Sequence, residues 1–277
     1  MADEEKVMHL ESTIPILLII ILAIFVAGKF GVINFSDVPV LKSVFPAPEI
    51  KVAAVGHIST GLKQYFDSEE FQQKRIVFTG EFAQSELYGG VLNNVDVIIL
   101  MNEPTCDRTA REIIAKRVKD GAKLILIGDA CTRVTGDESV YGWELGIDLL
   151  GNIVPVTAGS PYQREQSPAR KYVATGKFKI IADPTNPIFS AIKNQEYNGA
   201  LPGAAIFEVL PKADSKVLVL LNPSGTTETV VPSYRMMIES NYFLGKTMYF
   251  AYDPASQPTF GRNIFLSTIL YMMGRSG

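Results

Sequence analysis

Histidine and cysteine are scarce in this sequence, since each occurs only twice among 277 residues. The histidines are His9 and His57, and the cysteines are Cys106 and Cys131. Metal sites and nucleophilic catalysis commonly depend on these two residue types. Both kinds of chemistry are therefore sharply limited. The sequence contains no cofactor-binding or metal-binding motif, and we expect neither a cofactor nor a bound metal.

The sequence also lacks an excess of positive charge. Its net charge is −3 and its isoelectric point is about 5.6. A nucleic-acid-binding surface needs basic residues to neutralise phosphates, so we expect no nucleic-acid partner. Internal repeats and low-complexity stretches are absent as well. The composition therefore favours one large globular domain.

One long apolar segment lies near the start of the chain. No charged residue occurs from Ser12 to Gly28, and only Lys29 interrupts the apolar character before Ser36. A helix that is apolar on all sides suits lipid, and about 20 residues cross a hydrocarbon core of about 30 Å. Lys29 can extend its amine to the headgroups. We predict a single-pass membrane anchor over residues 13–35, with the lipid bilayer as its partner.

Two alternatives to this anchor are a buried core helix and a cleaved signal peptide. The tail at residues 1–12 is acidic rather than basic, and residues 27–29 are a poor cleavage site, which argues against a signal peptide. Positive charges are balanced on the two sides of the segment, so they do not define its orientation. A proline-containing linker at residues 36–49 follows, and residues 50–277 form the predicted domain.

The first part of this domain alternates strands with helices. Short apolar runs predict strands at residues 50–56, 75–79, 95–101 and 123–127. Between them, apolar spacing predicts a helix at residues 61–66 and a second helix that ends near Gly121. The second helix begins either with a capping box of Thr109 and Glu112 or with Asp107 as N-cap. Short strand–helix–strand connections indicate parallel pairing with right-handed crossovers.

The second part is richer in strands. Apolar runs between turn residues predict strands at residues 152–156, 178–182, 204–210, 216–221, 235–238 and 247–252, and a closing helix at residues 260–273. Some of these strands extend the parallel sheet, and others form antiparallel hairpins at its edge. We therefore predict a three-layer, flavodoxin-like α/β domain with a mainly parallel sheet and an antiparallel edge.

Several segments resemble the class I glutamine amidotransferase-like superfold, in particular its ThuA-like and β-galactosidase-trimerisation-like branches. They are the strand and turn at residues 124–129 together with the preceding strand and helix. Residues 183–188 resemble the "D-x-x-H-P-I" turn of these proteins, with Asn186 in place of histidine. Residues 242–250 resemble their "G-K-G-R-V-x-Y-F" strand. The resemblance spans most of residues 50–274 and implies the fold.

The same resemblance implies where a catalytic triad would lie. In true amidotransferases, a cysteine on a sharp turn follows the strand that corresponds to residues 123–127, and Cys131 lies within about one residue of that place. However, the glycine-rich elbow around the nucleophile is missing, and no histidine follows His57. A thiol without a base is a poor nucleophile at neutral pH. We therefore expect that the triad is not retained.

Polar residues follow the predicted parallel strands and define a candidate binding rim. Ligands of α/β folds bind at the carboxyl ends of the strands. The predicted rim consists of Gly56, His57, Ser59, Glu103, Asp107, Asp129 and Arg133. A catalytic alternative uses Cys131 and His57 as a dyad oriented by Asp129. Asp129 suits a helix or turn cap better, and His57 suits a loop position satisfied by backbone groups better. Trp143 suits core packing better than recognition at the surface.

The two cysteines follow neighbouring strands. Cys106 lies five residues beyond the third predicted strand, and Cys131 lies four beyond the fourth. Neighbouring strands are about 4.8 Å apart, which suits the Cα separation of a disulfide. We predict a Cys106–Cys131 disulfide, which would place the domain on the extracytoplasmic side of the cell membrane. The alternative is two free thiols in a cytoplasmic domain.

Together these observations predict a membrane-anchored, non-catalytic domain that acts as a binding or scaffold subunit of a membrane-surface assembly. Its partner would be another protein or a second copy of the chain. The alternative function is a cysteine-dependent hydrolase or amidase that uses Cys131 with His57.

Overall fold

The structure is a computed structural model that describes residues 15–16, 18–20, 22, 47–144, 150–158, 171–183, 185–190, 196–197, 204–224 and 233–275. The chain divides into two compact units, Met1–Pro48 and Glu49–Gly277. The second unit is called the α/β domain below.

In the first unit, the described residues of the predicted anchor are helical and exposed; they are Pro15, Ile16, residues 18–20 and Leu22. Within the described ranges, no helix has both the length and the apolar character that a membrane span requires. The other residues of the predicted anchor, the acidic tail and most of the linker lie outside the described residues.

The first part of the α/β domain alternates strands and helices, as predicted. Its elements are β1 (Ile50–Val55), α1 (Thr60–Phe66), α2 (Glu69–Gln73), β2 (Ile76–Phe82), a 3₁₀ helix (Gln84–Gly89), β3 (Val97–Leu100), β4 (Thr105–Cys106), α3 (Arg108–Lys119), β5 (Lys123–Ile127), β6 (Arg133–Val134) and β7 (Asp137–Tyr141). The four predicted strands correspond to β1, β2, β3 and β5, although β2 continues three residues beyond its predicted end.

The second part consists mainly of strands. Its elements are α4 (Leu150–Ile153), β8 (Val156–Ala158), β9 (Lys171–Ala174), β10 (Gly176–Ile180), a 3₁₀ helix (Pro187–Phe189), β11 (Glu196–Tyr197), β12 (Ala204–Phe207), β13 (Val209–Pro211), β14 (Lys216–Pro223), β15 (Tyr234–Tyr242), β16 (Gly245–Phe250), a 3₁₀ helix (Pro254–Ser256) and α5 (Pro258–Met272).

Two predictions in this second part are wrong. The predicted strand at residues 152–156 is the end of α4 followed by the start of β8, because Leu150 and Ile153 are buried at helical spacing. The predicted strand at residues 204–210 is two strands, since β12 pairs with β9 whereas β13 pairs with β8. A short apolar run does not distinguish these arrangements.

Nine of the described strands form one mixed sheet in the order β11-β10-β14-β15-β16-β5-β3-β1-β2. The strands β16, β5, β3, β1 and β2 pair in parallel. The pairs from β16 through β15, β14 and β10 to β11 are antiparallel. The prediction of a parallel sheet with an antiparallel edge is thus confirmed, with the antiparallel part extending over several strands.

Helices cover both faces of this sheet. The connections from β1 to β2 and from β3 to β5 run in opposite directions across the sheet, so right-handed crossovers place α1 and α3 on opposite faces. The helix α5 lies on the same side as α1, because the ring of Phe265 is 6.0 Å from that of Phe66 and 6.4 Å from that of Phe71. The result is three layers around a buried apolar core.

Asp107 rather than Thr109 caps the helix α3. The side chain of Asp107 accepts a hydrogen bond of 2.6 Å from the amide of Ala110 and so satisfies one of the unpaired donors at the helix start. Asp120 ends the helix, and Gly121 follows with a φ of +118°. Of the two starts that the sequence allows, the structure has the one at Asp107.

We expect Asp107→Ala to lower the free energy of unfolding by about 1 kcal/mol, because the amide of Ala110 loses its capping acceptor. Thr109→Ala is the matched control, since Thr109 is an exposed residue of the first helical turn. It should change stability by less than about 0.5 kcal/mol. Urea denaturation followed by circular dichroism measures both variants, and equal effects would contradict the assignment of the cap.

Candidate functional site

The carboxyl ends of the parallel strands meet at one edge of the sheet, which is called the carboxyl edge here. It is formed by residues 56–59 after β1, residues 81–85 at the end of β2, residues 102–107 after β3 and residues 128–135 after β5. All residues of the predicted rim belong to this edge. The register of the parallel strands therefore brings together segments that are far apart in the chain.

Glu81 is the centre of a polar cluster at this edge. Its carboxylate accepts hydrogen bonds from the backbone amide of Ile58 at 2.8 Å and from the amine of Lys63 at 2.9 Å. The imidazole Nδ1 of His57 lies 3.2 Å from the same carboxylate. The side chain of His57 is 83% exposed, whereas that of Glu81 is 19% exposed. The imidazole of His57 is thus accessible to solvent, whereas the carboxylate of Glu81 is held by its hydrogen bonds.

Hydrogen bonding lowers the pKa of the Glu81 carboxyl group. Burial alone would raise its pKa, but the hydrogen bonds from Lys63, the Ile58 amide and His57 outweigh burial and lower the pKa below its usual value. The folded protein therefore holds the proton of Glu81 less tightly than the unfolded chain does. The resulting stabilisation is present above the unfolded pKa of about 4.3 and is lost as the pH falls through the folded pKa.

We expect Glu81→Gln to lower the free energy of unfolding at pH 7. The difference from the wild type should disappear in acid, because the wild-type carboxylate becomes protonated there. Urea denaturation at a series of pH values from 7 down to about 3 measures the difference. Glu112→Gln, an exposed change within α3, is the control and should cost less than about 0.5 kcal/mol. A Glu81→Gln difference that is the same at all pH values would contradict the cluster.

Gln84 links the cluster to the loop after β3. Its side-chain amide donates to the carbonyl of Thr105 at 2.7 Å and to the carboxylate of Glu103 at 3.2 Å. Its side-chain oxygen accepts from the amide of Asp107 at 2.8 Å. One side chain thus satisfies groups on three residues of the neighbouring loop and holds the two segments together.

A cavity of about 320 Å³ opens between these segments. It is lined by Gly56, His57, Glu81, Phe82, Ala83, Gln84, Ser85 and Glu103. Gly56 is required at its wall, because its φ is +81° and a Cβ atom there would lie 2.8 Å from the Cβ of Glu103. The cavity is thus small, with two carboxylates in its wall.

The turn after β5 is joined covalently to the loop after β3. Cys131 and Cys106 form a disulfide with Cα atoms 4.9 Å apart, so the predicted pairing is confirmed. The amide of Cys131 donates to the carbonyl of Glu103 at 2.7 Å, and β6 pairs in parallel with β4. Cys131 has a φ of +56°, which is uncommon outside glycine. The chain then continues into β6 rather than into the helix that follows a nucleophile elbow.

Buried side chains also hold this turn through hydrogen bonds to its backbone. Trp143 is fully buried and donates from Nε1 to the carbonyl of Ala130 at 2.8 Å, which confirms core packing for this residue. Arg111 of α3 is also fully buried and donates to the carbonyls of Cys131 at 3.2 Å and Trp143 at 2.9 Å. The turn is thus held by a covalent bond and by side chains of the core.

Three of the seven residues of the predicted rim line the cavity, and the other four lie elsewhere at the carboxyl edge. Gly56, His57 and Glu103 line the cavity. Ser59 and Asp107 instead cap α1 and α3. Asp129 lies in the turn after β5, where its carbonyl accepts from the amide and hydroxyl of Thr132. Arg133 lies in β6.

The predicted rim does not include Glu81 and Gln84, which are the central polar residues of the site. The predicted second strand ended at residue 79, so these two residues were not recognised as strand-end residues. The available signal was the apolar Phe82, which follows the apolar run Ile76–Phe78 after only three residues and suggests a longer strand. A longer strand would have placed Glu81 at the carboxyl edge.

The described residues contain no group of three or more histidine, cysteine, aspartate or glutamate side chains that could hold a metal ion. His57 contacts Glu81, and the sulfur of Cys131 is bonded to Cys106. These contacts differ from the dyad of Cys131 and His57 oriented by Asp129 that the catalytic alternative requires.

Comparison with family models finds no match, and comparison with curated proteins finds none either. Solved structures, in contrast, share the fold at low identity. A ThuA-like protein from Bacteroides uniformis matches with a TM-score of 0.56 and 13% identity, over 82% of this chain and 93% of its own. A cytoplasmic protein from Salmonella typhimurium matches with a TM-score of 0.54 and 13% identity, over 80% and 98%.

A β-galactosidase from Bacillus circulans also contains this fold. It matches with a TM-score of 0.55 and 12% identity, over 84% of this chain but only 33% of the enzyme. At such identities the likenesses establish the fold alone. The chain thus shares the fold of a ThuA-like protein and of part of a β-galactosidase, two kinds of protein that the sequence also resembles.

Proposed function

We propose that the chain is a membrane-anchored, non-catalytic glutamine amidotransferase-like protein that serves as a binding or scaffold subunit of a membrane-surface assembly. The observation that carries the proposal is the disulfide between Cys131 and Cys106 at the turn where the fold's nucleophile would lie. A sulfur in a disulfide is not a thiolate and cannot act as the nucleophile.

Two further features favour binding over hydrolysis. A general base must lie within hydrogen-bond reach of the group that it deprotonates, and His57 makes its side-chain hydrogen bond to Glu81 and none to Cys131. No histidine follows His57 in the sequence to replace it. We therefore infer that the triad of the amidotransferases is lost, and that the alternative of a cysteine-dependent hydrolase is disfavoured.

The carboxyl edge is the proposed binding surface. Its cavity of about 320 Å³ is near the lower limit of ligand pockets, and it is lined by the carboxylates of Glu81 and Glu103. Lys63 and His57 contact Glu81, whereas the partner of Glu103 is the neutral amide of Gln84. The cavity therefore suits a small group with hydrogen-bond donors, such as a side chain of a docked protein.

Two features support the membrane location that we propose for the protein. Residues 13–35 have the length and apolar character of a single-pass anchor. Disulfides persist mainly outside the cytosol, so the Cys106–Cys131 bond favours an extracytoplasmic domain. Both the anchor and the side of the membrane are parts of the proposal.

Alkylation of the full chain tests the non-catalytic state. We expect no iodoacetamide adduct on the native or on the denatured protein without reductant, and one on each of the two cysteines after reduction. Rapid modification of Cys131 in the native protein at neutral pH would instead indicate an activated thiol and would support the hydrolase.

Purification from detergent-solubilised membranes tests the binding surface. The double variant His57→Ala and Gln84→Ala removes two side chains of the cavity wall. Gln72→Ala, an exposed change on α2, is the control. We expect a partner to be recovered with the wild type and the control, and to be lost with the double variant. Equal recovery in all three, or no partner at all, would contradict a binding role for this edge.

A further inference from the structure

The hairpin between β15 and β16 carries two exposed apolar side chains at its tip. Phe243 is 72% exposed and Leu244 is 74% exposed, the highest values among the large hydrophobic residues described in the α/β domain. Apolar side chains scattered singly on a surface are ordinary, whereas contiguous exposed apolar surface often marks a contact site. This tip is called the Phe-Leu tip below.

Turn geometry does not explain the choice of these residues. Tyr242 pairs with Gly245, so Phe243 and Leu244 form a two-residue loop. Such loops prefer glycine, asparagine or aspartate where φ is positive. Phe243 nevertheless occupies that conformation, with a φ of +51°. A bulky aromatic residue is thus held in an unfavourable backbone conformation and remains exposed to solvent.

Neighbouring groups hold the Phe-Leu tip in place. The rings of Tyr242 and Phe243 are in edge-to-face contact with centroids 4.8 Å apart. The amine of Lys123 donates to the carbonyl of Leu244 at 2.8 Å. These contacts fix the backbone and the aromatic ring of the tip.

Two lysines contact the tip, and a third follows it in the chain. The amine of Lys119 lies 5.2 Å from the centre of the Phe243 ring, and Lys123 contacts Leu244. Lys246, two residues beyond the tip, lies across the ring of Tyr271 at 3.8 Å. Two acids lie near these lysines, since the exposed Asp120 follows Lys119 in the chain and Glu239 lies close to Lys246. Apolar residues among several lysines are the pattern of an element that enters the interface of an anionic membrane.

The tip lies at the edge of the sheet opposite the carboxyl edge. Lys246 pairs with Lys123 at the start of β5, and Lys123 in turn pairs with Val97 at the start of β3. β1 also begins at this edge, where Val52 pairs with Val97. Glu49, the first residue of the α/β domain, directly precedes β1 and therefore lies at the edge that carries the tip.

We propose that the Phe-Leu tip inserts Phe243 and Leu244 into the interface of an anionic bilayer, with the exposed Lys119 facing the lipid phosphates and with Lys123 and Lys246 adding positive charge nearby. This inference rests on the membrane anchoring in the proposed function. The contact turns the edge of the sheet that carries the tip toward the membrane. The carboxyl edge with its cavity then faces away from the lipid and is accessible to a partner.

Fluorescence quenching on the full chain tests the contact. A Leu244→Cys variant is labelled with a nitrobenzoxadiazole dye without reductant, since Cys106 and Cys131 are then protected by their disulfide. Ser85→Cys, an exposed position at the carboxyl edge, is the control. Both proteins are reconstituted into vesicles of phosphatidylcholine and phosphatidylglycerol. Nitroxide-labelled lipid then reports contact with the bilayer, and iodide reports exposure to water.

We expect the label at position 244 to be quenched by the nitroxide lipid and shielded from iodide, and the label at position 85 to show the reverse. Adding Phe243→Gly, which suits the positive φ and preserves the turn, should reduce lipid quenching at position 244 by at least about twofold. Vesicles of phosphatidylcholine alone should also reduce it, because the lysines lose their anionic partners.

Flotation of the unlabelled wild type with the vesicles separates this proposal from the anchor. A chain that floats while its label at position 244 remains accessible to iodide overturns the Phe-Leu tip and leaves the anchor intact. A chain that does not float overturns both. A label that is shielded from both quenchers indicates a contact with protein and overturns the lipid contact.

Discussion

Replacing Trp143 with alanine is expected to lower the free energy of unfolding by about 3 to 5 kcal/mol. The side chain is fully buried, and its ring lies 5.9 Å from that of Tyr249 in an edge-to-face contact. Its Nε1 also donates to the carbonyl of Ala130 directly before Cys131. Alanine at this position leaves a cavity and an unpaired buried carbonyl, and both are costly.

Urea denaturation followed by far-ultraviolet circular dichroism measures this loss, because the variant contains no tryptophan for fluorescence. Trp143→Phe is the matched control. It preserves much of the buried volume but not the hydrogen bond, so its cost should be smaller than that of alanine. A Trp143→Ala variant within about 1 kcal/mol of the wild type would show that this residue does not support the turn at the carboxyl edge.

Replacing Cys131 with serine is expected to lower the free energy of unfolding by about 3 kcal/mol. The disulfide closes a loop between residues separated by 25 positions, and removing it increases the conformational entropy of the unfolded chain. For a domain of this size, the loss corresponds to a decrease of about 6 to 12 °C in the melting temperature.

Thermal unfolding with and without reductant tests the disulfide directly. Cys106→Ser, Cys131→Ser and the double variant should melt at similar temperatures, since each lacks the same bond. Reductant should lower the melting temperature of the wild type to that range and leave the variants unchanged. If the fully reduced wild type has the same melting temperature as the oxidised protein, the disulfide does not stabilise the fold as proposed.

The central parallel strands were predictable because they are buried on both faces. All four residues of Val97–Leu100 are buried, and so are four of the five in Lys123–Ile127. Such strands are continuous apolar runs, which stand out in a sequence. The edge strand β2 is only partly buried, so its last three residues were missed.

The disulfide was also predictable from the sequence. Once β3 and β5 are neighbours, the loops that follow them must begin side by side, and both cysteines lie in those loops. This deduction needs only the order of the strands and the distance between them. Side-chain orientations do not enter it.

The role of Asn186 required the tertiary structure. The sequence places it where the resembling proteins often have histidine, but it does not reveal what the residue does. In the structure Asn186 is buried and its side chain accepts from the amide of Ile188 at 3.0 Å, which caps the 3₁₀ helix Pro187–Phe189. At this position the residue supports local backbone structure.

The sequence by itself determined the parallel core, the crossovers and the cysteine pair, because apolar runs and chain order control these features. Only the tertiary structure decided which polar groups meet at the carboxyl edge. Val52 pairs with Phe78 whereas Ala53 pairs with Gly80, so Thr79 is an extra residue that shifts the register before Glu81. A shift of one residue reverses the face to which every later side chain points. The cluster of Glu81 with His57 and Lys63 depends on that register, which no local pattern in the sequence reveals.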